Sequence, residues 1–142
     1  MEVYTMRADK DQRPELIQMY RALTLSHRAQ ARRVLLQVRG FIGHSDENLS
    51  LVVEEELPQF MKKYAQCHHQ GAATNNKAVA SACDHASRIT QRNLQLAKRA
   101  LEKRQLPDTY FICDFCGFIA SATLPKNCPI CTAASRRFKK VS

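Results

Sequence analysis

The chain has 142 residues, 44% of them apolar, with 22 basic against 13 acidic side chains and a formal charge of +9. That length fits one domain, or one domain with a small appendage, and no run approaches the roughly 20 apolar residues that span a bilayer. Residues 1–14 are polar, without an apolar signal-peptide core, so the expected setting is the cytoplasm, where thiols stay reduced.

From Pro14 to about Phe41, apolar residues recur every three to four positions: Leu16, Met19, Tyr20, Leu23, Val34, Leu35, Val38 and Phe41. This periodicity predicts a long amphipathic helix, opened by Pro14 and ended by Gly40 and Gly43. Ser45 or Asp46 can cap a second helix reaching about Gln70, with Leu49, Val52, Val53, Leu57, Phe60, Met61 and Tyr64 on its apolar side. Pro58 should kink or split it, and Gly71 should stop it. A third helix is expected from about Asn75 to Arg104, with the stripe Val79, Ala82, Cys83, Ala86, Ile89, Leu94, Ala97 and Leu101. Residues 105–108 read as a linker around Pro107, and 109–142 as a small module with strands at 110–112 and 118–119. The fold class is therefore mainly α: a long-helix bundle over 1–105 and a β module over 109–142. Three long helices leave an apolar groove that a fourth would fill. A homodimer or higher homo-oligomer, in which chains complete each other's bundles, is the expected solution.

The module carries the chemistry. Cys113-Asp114-Phe115-Cys116 and Cys128-Pro129-Ile130-Cys131 are two Cys-x-x-Cys pairs. Each pair folds into a tight knuckle that aims two sulfurs at one ion, and the residues between return the chain as a hairpin. Cys113, Cys116, Cys128 and Cys131 are thus expected to hold one iron or zinc ion in a four-sulfur site. Gly117 suits the close backbone approach that N–H to sulfur contacts need. Tyr110, Phe111, Phe115, Phe118 and Phe138 are expected to pack around the knuckles and limit water. Cys67 and Cys83 read as buried apolar thiols on helices.

The opening Tyr-Phe-x-Cys-x-x-Cys-Gly-Phe, the return Leu-Pro-x-x-Cys-Pro-x-Cys and the late Phe138 resemble the rubredoxin-like tail of rubrerythrins and nigerythrins. Residues 76–80, Ala86-Ser87 and the run Leu96 to Glu102 are similar to that family's last bundle helix, and Leu57-Pro58-Gln59-Phe60 faintly to a Met-Tyr-Pro-x-Phe stretch in the helix before it. The resemblance covers about residues 72–141. It implies a ferritin-like bundle and a rubredoxin-like zinc-ribbon module. The family's bundle holds two irons through Glu residues and Glu-x-x-His motifs, whose spacing puts both ligands on one helix face. Here Thr90-Gln91-Arg92-Asn93 stands where that motif belongs, and no Glu-x-x-His occurs anywhere. The di-iron chemistry is therefore not carried over. Thr132 also departs from the pattern, since such tails often carry Gly after the fourth cysteine.

Three functions follow as expectations. With iron, the site would transfer single electrons to a separate partner, an acidic one given the basic surface. With zinc, it would be a structural ribbon on a helical oligomerisation scaffold, binding protein or, less favoured for want of a basic-aromatic patch, nucleic acid. The third is an unusual bundle metal site from His27, one of Glu54, Glu55 or Glu56, and His68 or His85. Against it, the three Glu fan around a helix, the pairs His68-His69 and Asp84-His85 diverge, and His27 reads as a satisfied, partly buried histidine. No nucleophile–base pair, phosphate loop or triad is present, so no catalytic residue is assigned.

Overall fold

The structure, a computed structural model, describes residues 1–102 and 106–141. The third helix's expected end at Arg104, and Gln105 of the linker, lie outside the described residues. Among the described residues, helices make up most of the chain up to Leu101, and the strands lie from Tyr110 onward. The fold is mainly helical with a small antiparallel sheet, and it divides into two compact units, Met1–Gly43 and His44–Ser142.

The first unit holds two helices. Helix α2 (Pro14–Arg39) has Pro14 in its first turn, as the sequence predicts, and closes on Gly40 with φ 67°. Helix α1 (Glu2–Lys10) was not expected from the polar N-terminus. Gln12, with φ 55°, turns the chain between them. The rings of Tyr4 and Tyr20 meet at 5.8 Å, and Arg28 pairs with Glu2. Only Ala8 is buried in α1, and no residue of α2 is. His27, expected to be partly buried, is exposed and lines an open hollow with Met1, Glu2, Val3, Thr24, Arg28 and Ala31.

The second unit begins with α3 (Ser45–Leu51), capped by His44: the His44 side chain accepts from the backbone N–H of Glu47, whose carboxylate accepts from the His44 N–H. The chain passes through one π-helical stretch, Val52–Glu56, into α4 (Leu57–Ala73). Pro58 lies just beyond that stretch. Its ring removes a donor and crowds the carbonyl four residues back, and the wider π turn absorbs the conflict. The expected break is therefore a local widening.

Gly71 does not stop α4, which continues to Ala73. Gly71 is buried, and a Cβ there would lie 2.8 Å from the backbone nitrogen of Ala80. Its role is close approach between α4 and α5 (Lys77–Leu101). Asn75 turns the chain with φ 55°, and the Asn76 side chain accepts from the N–H of Val79 at 3.2 Å, capping α5. Cys67 and Cys83 are not free thiols. A disulfide joins them across the α4–α5 pair, with Cα atoms 6.0 Å apart.

The C-terminal module is a three-stranded sheet in the order β2-β1-β3, formed by β1 (Tyr110–Cys113), β2 (Ile119–Ser121) and β3 (Phe138–Lys140). Strand β1 is central and antiparallel to both neighbours, with Phe111 opposite Ala120 and Cys113 opposite Phe138. The sequence reading missed β3. Ile89 of α5 is buried in the same cluster as Cys113, Phe118, Ala120, Cys128 and Ile130, so the helix and the cysteine module share one core. No helix among the described residues is long and apolar enough to cross a membrane.

Candidate metal centre

Two chain reversals of one design build the site. In the first, the N–H of Gly117 donates to the carbonyl of Cys113 at 2.8 Å, and the N–H of Cys113 to the carbonyl of Phe118 at 2.9 Å. In the second, the N–H of Thr132 donates to the carbonyl of Cys128 at 2.9 Å, and the N–H of Cys128 to that of Ala133 at 2.8 Å. Each reversal puts one residue in the left-handed region just after its second cysteine: Gly117 at φ 83° and Thr132 at φ 62°. Thr132 is thus accommodated, with its hydroxyl donating to the Cys131 carbonyl at 2.7 Å.

The reversals bring the four predicted sulfurs together. Cys113, Cys116, Cys128 and Cys131 place their Sγ atoms within 4.8 Å of one another. The Cys113–Cys131 pair stands at 3.7 Å and the Cys116–Cys128 pair at 3.6 Å. A tetrahedron with metal–sulfur bonds of about 2.3 Å has edges of about 3.8 Å. The donor set therefore fits one soft or borderline ion. Within each pair the first cysteine, Cys113 or Cys128, is buried, and the second, Cys116 or Cys131, is half-buried.

Backbone donors surround the sulfurs. Burial pushes the Cys116 and Cys131 thiols above their ordinary range, against the opposing pull of the Phe118 N–H on Cys116 and the Ala133 N–H on Cys131. At Cys128 burial acts in the same upward sense but is outweighed by the N–H groups of Cys131 and Ile130, and the thiol ends lower than usual. Phe118 and Ala133 each sit two residues past the cysteine they serve, directly after the left-handed residue. That turn aims their N–H inward.

The aromatic shell is smaller than expected. Phe118 is buried and meets Phe138 edge to face at 6.4 Å, and Phe111 packs against the same cluster. Phe115 does not: at the tip of the first knuckle it is 68% exposed. Tyr110 is half-buried on β1. Charge is organised around Asp114, whose carboxylate holds Arg137 at 2.9 Å and Lys139 at 3.2 Å. From α5, the Arg92 guanidinium lies 5.7 Å above the Phe118 ring, a cation–π contact.

The bundle residues weighed as ligands are not gathered. His68 Nδ1 lies 3.0 Å from the carbonyl of Ala80, Asp84 faces Arg88, and Glu54 accepts from Ser50. Among the described residues, the four cysteines form the one group of three or more metal-ligating side chains close enough to share an ion.

Residues 111–139 match the family model of the rubredoxin-like domain of rubrerythrins. The match takes in all four cysteines and does not extend to the helices. No curated protein matches the chain.

Proposed function

We propose that residues 109–142 are a metal-binding domain that holds one iron ion through Cys113, Cys116, Cys128 and Cys131 and relays single electrons to a separate redox partner. The supporting observation is the sulfur quartet itself, with two sulfur–sulfur distances of 3.7 and 3.6 Å near the edge of a four-thiolate tetrahedron, inside a rubredoxin-like match. Bound iron supplies a ferric–ferrous couple whose potential follows hydrogen bonds to sulfur, local charge and burial. The chain's own groups set those terms. The N–H groups of Phe118, Ile130 and Ala133 favour thiolate, and Phe118 and Phe138 keep water from the inner face. Cys116 and Cys131 turn toward the surface, the side from which a partner is served.

The helices are assigned no di-iron chemistry in this reading, since the chain carries no Glu-x-x-His. Arg136 and Lys140, with Arg137 and Lys139 partly offset by Asp114, leave the module a net basic edge that favours an acidic partner, such as a flavoprotein or ferredoxin.

Absorption spectroscopy on protein purified without oxygen tests this reading. A red ferric chromophore that bleaches with dithionite and returns on oxidation is the expected result. A chain that takes up zinc, stays colourless and refuses iron under reducing conditions would replace the relay with a structural zinc ribbon.

A further inference from the structure

Phe118 serves two of the four cysteines at once. Its N–H bears on the Cys116 sulfur, and its carbonyl accepts from the N–H of Cys113 at 2.9 Å. The ring holds this backbone in place. It is buried in one cluster with Cys113 and Cys128 and meets Phe138 edge to face at 6.4 Å. A charge meets it as well: the guanidinium carbon of Arg92 lies 5.7 Å from the ring centroid.

Arg92 reaches the module because of its place on α5. Ile89, three residues back, is buried in the same cluster as the cysteines, and residues three apart share a helix face. The neighbouring charges are matched. Arg88 has Asp84 at 3.8 Å, and Asp114 holds Arg137 and Lys139. Arg92 faces an aromatic ring instead, which attracts a cation without cancelling its charge.

We propose that Arg92 is a positioning residue for the metal centre. It seats Phe118, and its positive charge favours the more negative state of the four-thiolate site. Four thiolates carry a net charge of about −1 with a trivalent ion and about −2 with a divalent one. A cation beside them therefore raises the reduction potential of iron and the affinity for zinc. At a separation on the order of 10 Å, a unit charge shifts an equilibrium by about twofold in water and about fifteenfold at the dielectric of a protein surface. Arg92 is exposed, so the lower part of that range applies. This role rests on the metal-binding reading above and holds for either ion.

The test uses the full chain carrying R92K, R92Q or R92E, each loaded with one ion. In a spectroelectrochemical titration of the iron form, R92Q should shift the ferric–ferrous equilibrium toward ferric by about threefold, or roughly 28 mV at 59 mV per tenfold. R92E should shift it about twice as far in potential, and R92K should stay near the wild type. Zinc affinity in a chelator competition should fall in the same order. Raising the salt should narrow both spreads, because it screens an exposed charge.

Equal potentials and equal zinc affinities across the series overturn the proposal. So do equal losses in R92Q and R92E, or losses that salt leaves unchanged, since either result means packing without charge. If R92E fails to fold, R92Q against R92K decides the matter. A wild type that takes zinc and refuses iron ends the electron-relay reading, while the zinc series still decides on Arg92. A wild type that binds neither ion overturns both.

Discussion

Gly117 and Thr132 occupy the same position in the two knuckles, each directly after a second cysteine and each with positive φ, 83° and 62°. Gly adopts that conformation freely, whereas a side-chain-bearing residue costs roughly 1–2 kcal/mol. A Cβ at Gly117 would meet no atom within 4 Å, so the backbone conformation alone decides the cost there. Thr132→Gly should therefore stabilise the module by about 1 kcal/mol, and Gly117→Thr should destabilise it by about 1–2 kcal/mol. Denaturant unfolding of the metal-loaded protein checks both; equal effects of the same sign would break the equivalence.

Ile89 ties α5 to the cysteine module, buried with Phe118, Cys113 and Cys128 in one cluster. Ile89→Ala should remove about 2–4 kcal/mol, the usual cost of emptying a buried aliphatic site. The same change should weaken metal retention against a chelator, since helix and knuckles share a core. Val79, 40% exposed on the same helix, serves as the control: its alanine variant should shift stability by under about 1 kcal/mol. Loss of stability with unchanged metal retention would mean that the helix and module are energetically separate.

The cysteine quartet was legible in the sequence because its ligands are local: each pair spans four residues, and a knuckle is a local turn. Pro14 could be read for the same reason, as a helix-start signal that acts within one turn. What escaped depends on distance. The Cys67–Cys83 bond joins two helices, and a separation of 16 residues does not say which thiols will meet. Gly71 looked like a helix stop because its real constraint, the backbone of Ala80 on the next helix, is not a neighbour in sequence. Strand β3 was missed because Phe138-Lys139-Lys140 lacks apolar alternation; its pairing comes from the central β1. Phe115 looked like a shell residue by type, but at position three of its knuckle it points outward.

The disulfide closes a loop of about 15 residues, which by chain entropy is worth about 3 kcal/mol. Reduction, or the Cys67→Ala/Cys83→Ala pair, should lower unfolding free energy by about that amount while leaving metal content unchanged. Circular dichroism melts with and without reductant, alongside metal analysis, check it. Metal loss in the double variant would mean that the α4–α5 pair supports the centre through the core it shares at Ile89.

Metal binding should depend on pH with a definite sign. Burial first, against backbone donors, holds the Cys116 and Cys131 thiols above the ordinary value of 9.0. The empty module gains stability from these raised thiols below that value and loses it as pH climbs past 9.0. Ligation runs the other way, because protons on those thiols must leave before an ion binds. Zinc affinity in a chelator competition should therefore fall by at least about tenfold for each pH unit of acidification between about pH 8 and 6. A flat profile would contradict thiolate ligation.

The central claim is that four sulfurs, and nothing else in the chain, hold one ion. X-ray absorption on protein of known metal content addresses it most directly. One metal per chain with four sulfur scatterers at about 2.3 Å is the predicted result. Nitrogen or oxygen scatterers in the coordination shell, or a second metal per chain, would contradict it.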